Sequence, residues 1–192
     1  MTVPVDLAGR TVVVAGAGGG GIGTAISRLL AEAGANVVGF DNRPEALAVW
    51  EEALRGTPGD HRSVVLDVRH EVAVADAVAE AAGRGGLHGL VHVAGGLGYD
   101  QWGSLLDVDV EVFDAVFELN FQAALITMRE AARHLAGNGG GSIVGIASVV
   151  GLSAMPYGAP YAAAKAAMAS LVRTAALEWG PAGVRVNAVA AG

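Results

Sequence analysis

The segment Tyr161-Ala162-Ala163-Ala164-Lys165 places a phenol and an ammonium four residues apart. It opens an alanine-rich run, Ala162 to Trp179, whose Ala and Leu content predicts one helix. Residues four apart share a helix face, so the two groups can lie on one side. A cation beside a phenol favours the phenolate, so the spacing predicts a Tyr161 pKa below its reference of about 10. Such a phenol can give or take a proton near neutral pH. A Tyr and a Lys at this spacing occur on many protein surfaces. Two neighbours make this pair a candidate site: Ser148 ends an apolar segment upstream, and a glycine-rich turn lies near the N-terminus.

These groups need a scaffold, and the apolar pattern supplies one. Thr11 to Ala15 reads as a buried strand and runs into Gly16-Ala17-Gly18-Gly19-Gly20-Gly21-Ile22-Gly23. A helix is predicted over Thr24 to Ala33, stopped by Gly34. Further strands are expected over Asn36 to Phe40, Ser63 to Leu66, Leu90 to Val93, Ile143 to Ala147 and Val184 to Val189. Helices over Glu45 to Leu54, with Pro44 at its start, Val72 to Ala82 and Val112 to Leu135 complete the alternation. Six strands with intervening helices, and continuous apolar strands, predict an α/β fold. The expectation is one doubly wound parallel sheet over residues 1–192, covered on both faces.

Composition narrows the function. At 192 residues, 53% hydrophobic and 16% charged, the chain suits one packed domain. A net charge of −7 with no basic run argues against a nucleic-acid partner. No apolar run reaches the roughly 18 residues that span a bilayer, so no membrane partner is expected. Met1 to Arg10 lacks the pattern of a secretory leader. The chain has no Cys, which suits a cytoplasmic protein. The five histidines, His61, His70, His88, His92 and His134, show no metal-ligand spacing, so no metal is expected. Two helices, 112–135 and 161–179, carry more apolar surface than one sheet contact needs; this predicts a homodimer or homotetramer through them.

The glycine turn joins a strand to a helix, where free N–H groups and the helix dipole favour phosphate. Asp41 ends the second strand, 18 residues after Gly23, near the roughly 20 expected for a carboxylate bonding a ribose 2′-OH. That carboxylate would repel a 2′-phosphate, so NAD is favoured over NADP. Arg43 nearby could accept such a phosphate, and Asp41 could instead cap the turn to Pro44.

Taken together, these residues resemble the short-chain dehydrogenase/reductase family, of the Tyr-x-x-x-Lys type. The resemblance rests on the turn Gly16 to Gly23, Asp67-Val68, Ala94-Gly95, Asn120, Ser148, and Tyr161 with Lys165, and covers nearly all of the chain. Ser148 precedes Tyr161 by 13 residues, the family's usual spacing. The resemblance implies a Rossmann-like sheet of order 3-2-1-4-5-6. It implies Tyr161 as acid/base, Lys165 on the nicotinamide ribose, Ser148 on the substrate oxygen, and Asn120 holding a water at a local break in its helix. Asn120 could instead satisfy backbone groups, and Ser148 could cap the next turn. Gly16, Gly18, Gly20, Gly21, Ile22, Asp41, Asp67, Val68, Ala94 and Gly95 would bind the cofactor with Tyr161 and Lys165.

The chain departs from the family pattern at several places. The glycine turn has one extra residue. Ala15 replaces a common Thr, His92-Val93 replaces Asn-Asn, Ala164 replaces a frequent Ser, and Ala190-Ala191-Gly192 stands where Pro-Gly is usual. The lid and seventh strand of the family are expected to be missing. The implied activity is an NAD(H)-dependent interconversion of a secondary alcohol and a ketone. A non-catalytic dinucleotide module and an NADP(H) enzyme are the alternatives. The apolar residues Leu97, Tyr99, Trp102, Leu152, Met155 and Tyr157 predict a small, fairly apolar substrate.

Overall fold

The protein, a computed structural model, is described over residues 5–192. The first four residues of the Met1 to Arg10 stretch lie outside the described residues. Six strands form one sheet: β1 (Thr11–Ala15), β2 (Asn36–Asp41), β3 (Arg62–Val65), β4 (Gly89–His92), β5 (Gly141–Ser148) and β6 (Val184–Ala191). Every neighbouring pair is parallel, in the order β3-β2-β1-β4-β5-β6. The chain winds outward from β1 in one direction, then returns to β4 and winds outward in the other. The crevice at this reversal is where open α/β sheets bind ligands.

Successive strand residues face opposite sides. Val13 and Ala15 enter the larger core cluster with Phe40, Leu90, Met128, Ile143, Met168 and Val172. That side is roofed by α3 (Glu71–Ala82), α5 (Ala123–Gly137) and α6 (Ala159–Trp179). Val12 and Val14 face the other side and pack with Val37, Trp50 and Leu54 beneath α1 (Ile22–Glu32) and α2 (Pro44–Leu54). Helices thus lie on both faces of the sheet, as expected. A helix about 10 Å across roofs about two strands set about 4.8 Å apart. Two helices therefore leave the β4–β6 half partly open, and Arg185, Asn187 and Val189 are exposed.

The helix expected over 112–135 is three pieces. α4 (Val110–Phe117) passes into a π-helical turn (Glu118–Gln122), and α5 follows. The wider turn brings Asn120 inward to full burial, where its amide reaches two backbone carbonyls. A π turn inside an α-helix often marks a functional site. α6 starts at Ala159, earlier than expected, so Tyr161 sits within its first turn.

Candidate active site

The C-terminal strand ends and the turns after them surround a cleft of about 750 Å³. β1 contributes the glycine turn, β2 Asp41, the segment after β3 Asp67 and Val68, and the segment after β4 Ala94 and Gly95. Ser148 ends β5, and α6 supplies Tyr161 and Lys165. Of the residues expected at the site, all but Gly20, Gly21 and Asn120 line this cleft.

Gly16 has φ +81°, and a Cβ there would lie 2.5 Å from Ala94 N. Its absence lets β1 and the turn after β4 converge. Gly20 and Gly21 are exposed and stand outside the cleft lining. The Gly20 N–H donates to Thr24 Oγ1 at 3.1 Å. Gly23 lines the cleft in their place.

Asp41 is buried at 8% exposure. Its Oδ2 accepts from Gly18 N–H at 3.1 Å, and its Oδ1 accepts from Arg43 N–H at 3.1 Å and from Arg43 Nε at 3.4 Å. It thus caps the turn towards Pro44 and anchors the glycine turn. A carboxylate has about four acceptor positions, so roughly one stays free for a ligand hydroxyl. Asp67 accepts from Arg69 Nε at 3.0 Å, and this bond holds its pKa below the ordinary carboxylate value.

Tyr161, Ser148 and Lys165 meet at the other end of the cleft. Lys165 Nζ lies 5.5 Å from the Tyr161 ring centroid and donates to Ile146 O at 2.9 Å. The expected lowering of the Tyr161 pKa is corrected. Burial raises it, and the adjacent Ser148 hydroxyl only partly opposes the shift. The cation is committed to a carbonyl and lies over the ring face. Lys165 itself is 3% exposed, and burial pushes its pKa down to about 8. Ser148 Oγ also accepts from Val150 N–H at 3.4 Å, a long contact that caps the following turn.

Asn120 sits behind the cleft wall. Its Oδ1 accepts from Gly96 N–H at 2.8 Å, and its Nδ2 donates to Gly96 O at 2.8 Å and Val116 O at 2.9 Å. Both amide hydrogens serve the backbone, as one of the two sequence readings anticipates. His92, within the fourth strand, is fully buried. Its Nδ1 lies 2.8 Å from Thr127 Oγ1, while Nε2 finds no partner. Burial, with the Lys165 charge, presses its pKa down to about 3 against a backbone contact with Ala94.

Sequence reasoning missed Asn42, Leu66, Val93, Leu119, Ile146 and Ala147 in the lining. All but Leu119 stand at or beside a strand's C-terminal end, a signal available from position alone. Among the described residues no group of side chains could hold a metal, and no helix is long and apolar enough to cross a membrane.

Comparison with known proteins agrees with this geometry. The family model described as short chain dehydrogenase matches residues 10–192. A cis-4-hydroxycyclohexanecarboxylate dehydrogenase of Sinomonas cyclohexanicum is 37% identical over 185 residues, covering 95% of this chain and 72% of its own. A D-beta-hydroxybutyrate dehydrogenase of Rhizobium meliloti (strain 1021) is 36% identical, covering 95% and 70%. Among solved structures, NAD+-bound xylitol dehydrogenase superposes with TM-score 0.91 at 32% identity, covering 96% of this chain and 70% of that one. Carveol dehydrogenase from Mycobacterium avium in complex with NAD gives 0.90 at 29% identity, covering 96% and 70%. A cleft of this construction on this sheet, matched by a family model over nearly every residue, makes the chain a member of the short-chain dehydrogenase family of oxidoreductases.

Proposed function

We propose that the cleft binds NAD(H) and interconverts a secondary alcohol and a ketone, with Tyr161 as the acid/base. The observation that carries this reading is one cleft with the glycine turn and Asp41 at one end and Ser148, Tyr161 and Lys165 at the other. The residues fit a dinucleotide. Gly16 and Gly23 let the backbone of β1, α1 and the turn after β4 close up beneath the cleft, and Asp41 presents a buried carboxylate to it. A bound nicotinamide supplies the hydride acceptor or donor; the protein supplies position and proton movement.

Within that division of labour, Lys165 and Asp41 would hold the two ribose groups, and Asp67 and Val68 would flank the adenine. Ser148 Oγ would orient the substrate oxygen. Tyr161, whose proton burial holds more firmly than in an ordinary phenol, would donate it as the carbonyl becomes an alcohol. In the reverse direction the deprotonated hydroxyl would accept it. The same reading carries a fairly apolar substrate. The loop from Leu97 and the segment Val149 to Pro160 are joined by Gly103 N–H donating to Tyr157 O at 2.9 Å. They expose Tyr99, Trp102, Leu152 and Tyr157.

A cytoplasmic location suits a chain with no Cys. Assembly as a homodimer or homotetramer would use the two helices named from the sequence. The Phe113, Phe117 and Phe121 rings stack along one of them, and Leu177 stands 81% exposed on the other.

Titration with both dinucleotides tests the cofactor. NAD is expected to bind at least about tenfold more tightly than NADP, which corresponds to about 1.4 kcal/mol of discrimination by Asp41. Tighter binding of NADP would assign Arg43 the leading role; its side chain is 59% exposed and free to turn outward.

The depressed pKa of Lys165 gives a second expectation. Between about 8 and the ordinary 10.5, the folded protein releases this proton before the unfolded chain does. The unfolded state then binds more protons, so this group's burial penalty fades and stability gains as pH rises through that window. Cofactor affinity should move the other way, because a neutral amine loses its charge. NAD affinity measured from about pH 7 to about pH 9 should fall, and Lys165→Met should remove the dependence. A slope unchanged in the variant would acquit Lys165.

A further inference from the structure

We propose that His92 is a positioning residue: with Thr127 it forms a buried clamp that sets the Ala94-Gly95 turn against Lys165. The role rests on the cofactor reading above and deepens it.

The clamp begins where β4 ends. His92 pairs in register with Ala15 on one side and Gly145 on the other, and it has no exposed surface. Thr127, equally buried, stands near the start of α5 and meets His92 Nδ1 at 2.8 Å. Oγ1 of Thr127 also lies 3.1 Å from Ala123 O and 3.2 Å from Ala124 O, so the hydroxyl is anchored to its own helix. A polar pair at this depth is retained only where its hydrogen bond is made.

Beyond His92 the chain leaves the ladder. Both Val93 N–H and Ala94 N–H donate to Ala15 O, at 2.8 and 2.9 Å. Gly95 and Gly96 then adopt φ +149° and +151°. Asn120 grips Gly96 through two hydrogen bonds. The five residues from His92 to Gly96 are therefore held at both ends by the helix that contains the π turn. Between the grips lie Ala94 and Gly95, both in the cleft. A Cβ on Gly95 would stand 3.2 Å from Lys165 Nζ, so the position of this turn sets the room the ammonium has. The ring does this as a neutral group, without adding a second cation beside Lys165. A histidine thus does by a hydrogen bond to α5 what an apolar residue could not.

Two ligands separate this role from general stabilisation. The Lys165 end of the cleft takes the nicotinamide ribose of NAD; ADP lacks both that ribose and the nicotinamide. Thr127→Val keeps the side-chain shape and deletes the hydroxyl. It should weaken NAD binding about tenfold and leave ADP binding unchanged, and Thr127→Ser should restore wild-type NAD affinity. Equal losses for both ligands, no loss at all, or a Ser variant as weak as Val would each overturn the clamp. A measurement on the wild-type chain stands even if a variant folds poorly. In ¹⁵N-histidine-labelled protein, the His92 ring signals should shift on adding NAD and stay in place with ADP, and the reverse pattern would refute the role. Wild-type protein that binds neither dinucleotide would reject the cofactor reading itself. NAD binding that ignores Thr127 would reject the clamp alone.

Discussion

Tyr161→Phe is expected to bind NAD within about twofold of wild type while turnover falls by roughly 10²- to 10⁴-fold, the usual range for losing a general acid/base. The substitution removes one oxygen and keeps the ring. The ring's contact with Lys165, at 5.5 Å, and the Lys165 bond to Ile146 O therefore survive, and with them the cofactor end of the cleft. What disappears is the hydroxyl proposed to pass a proton to the substrate oxygen. The direction of the Tyr161 shift adds a finer expectation. Burial favours the protonated phenol, so reduction of a ketone should proceed at neutral pH, and oxidation of an alcohol should speed up as pH rises. Stopped-flow measurement of reduced nicotinamide in both directions would check this. Full turnover by the Phe variant would remove Tyr161 from the mechanism. Tight NAD binding by a wild-type chain that turns over no alcohol or ketone would leave the binding-module reading in its place.

The scaffold was legible because it is written in short-range pattern. Valine-rich runs such as Thr11 to Ala15 become buried parallel strands, and the order β3-β2-β1-β4-β5-β6 follows from the resemblance. Ligand sites at strand ends follow from topology, so Asp41, Asp67, Ala94 and Ser148 could be placed without coordinates. What escaped depends on long-range contact. A break at Asn120 follows from the resemblance, but its form does not: the apolar period of 112–135 signals neither a π turn nor the bond from Gly96, 24 residues earlier, to Asn120. The Tyr161 pKa was misjudged because spacing puts Lys165 on the same face but does not say that its ammonium turns to Ile146 O. The contact between His92 and Thr127 joins residues 35 apart, so no local pattern signals it. Of the glycines expected on the cofactor, Gly16 and Gly18 line the cleft while Gly20 and Gly21 do not. Composition shows that each glycine is permitted many conformations but not which of them face the cleft.

That last distinction can be measured, since two glycines two residues apart should respond in opposite ways. A Cβ on Gly23 would lie 1.9 Å from Gly16 O and 2.9 Å from Ala17 Cα. Both are backbone atoms of the strand-to-turn junction, so no side chain can swing aside to make room. Relief requires α1 to lift from β1, and the lift would carry the cleft-lining backbone with it. Overpacking of this kind costs about 1–3 kcal/mol, and an unyielding backbone puts Gly23→Ala at about 3 kcal/mol or above. The urea midpoint should drop accordingly, and NAD binding should be lost. Gly21 has φ −88° and no atom within 4 Å of a would-be Cβ. Gly21→Ala should stay within about 0.5 kcal/mol of wild type and keep its NAD affinity, as expected of an exposed helix-start position. The contrast matters more than either value, because both variants add the same methyl group to the same turn. If Gly21→Ala lost NAD while Gly23→Ala kept it, the outer glycines would be the phosphate cradle after all. The packing of α1 on β1 would then have to be redrawn around them.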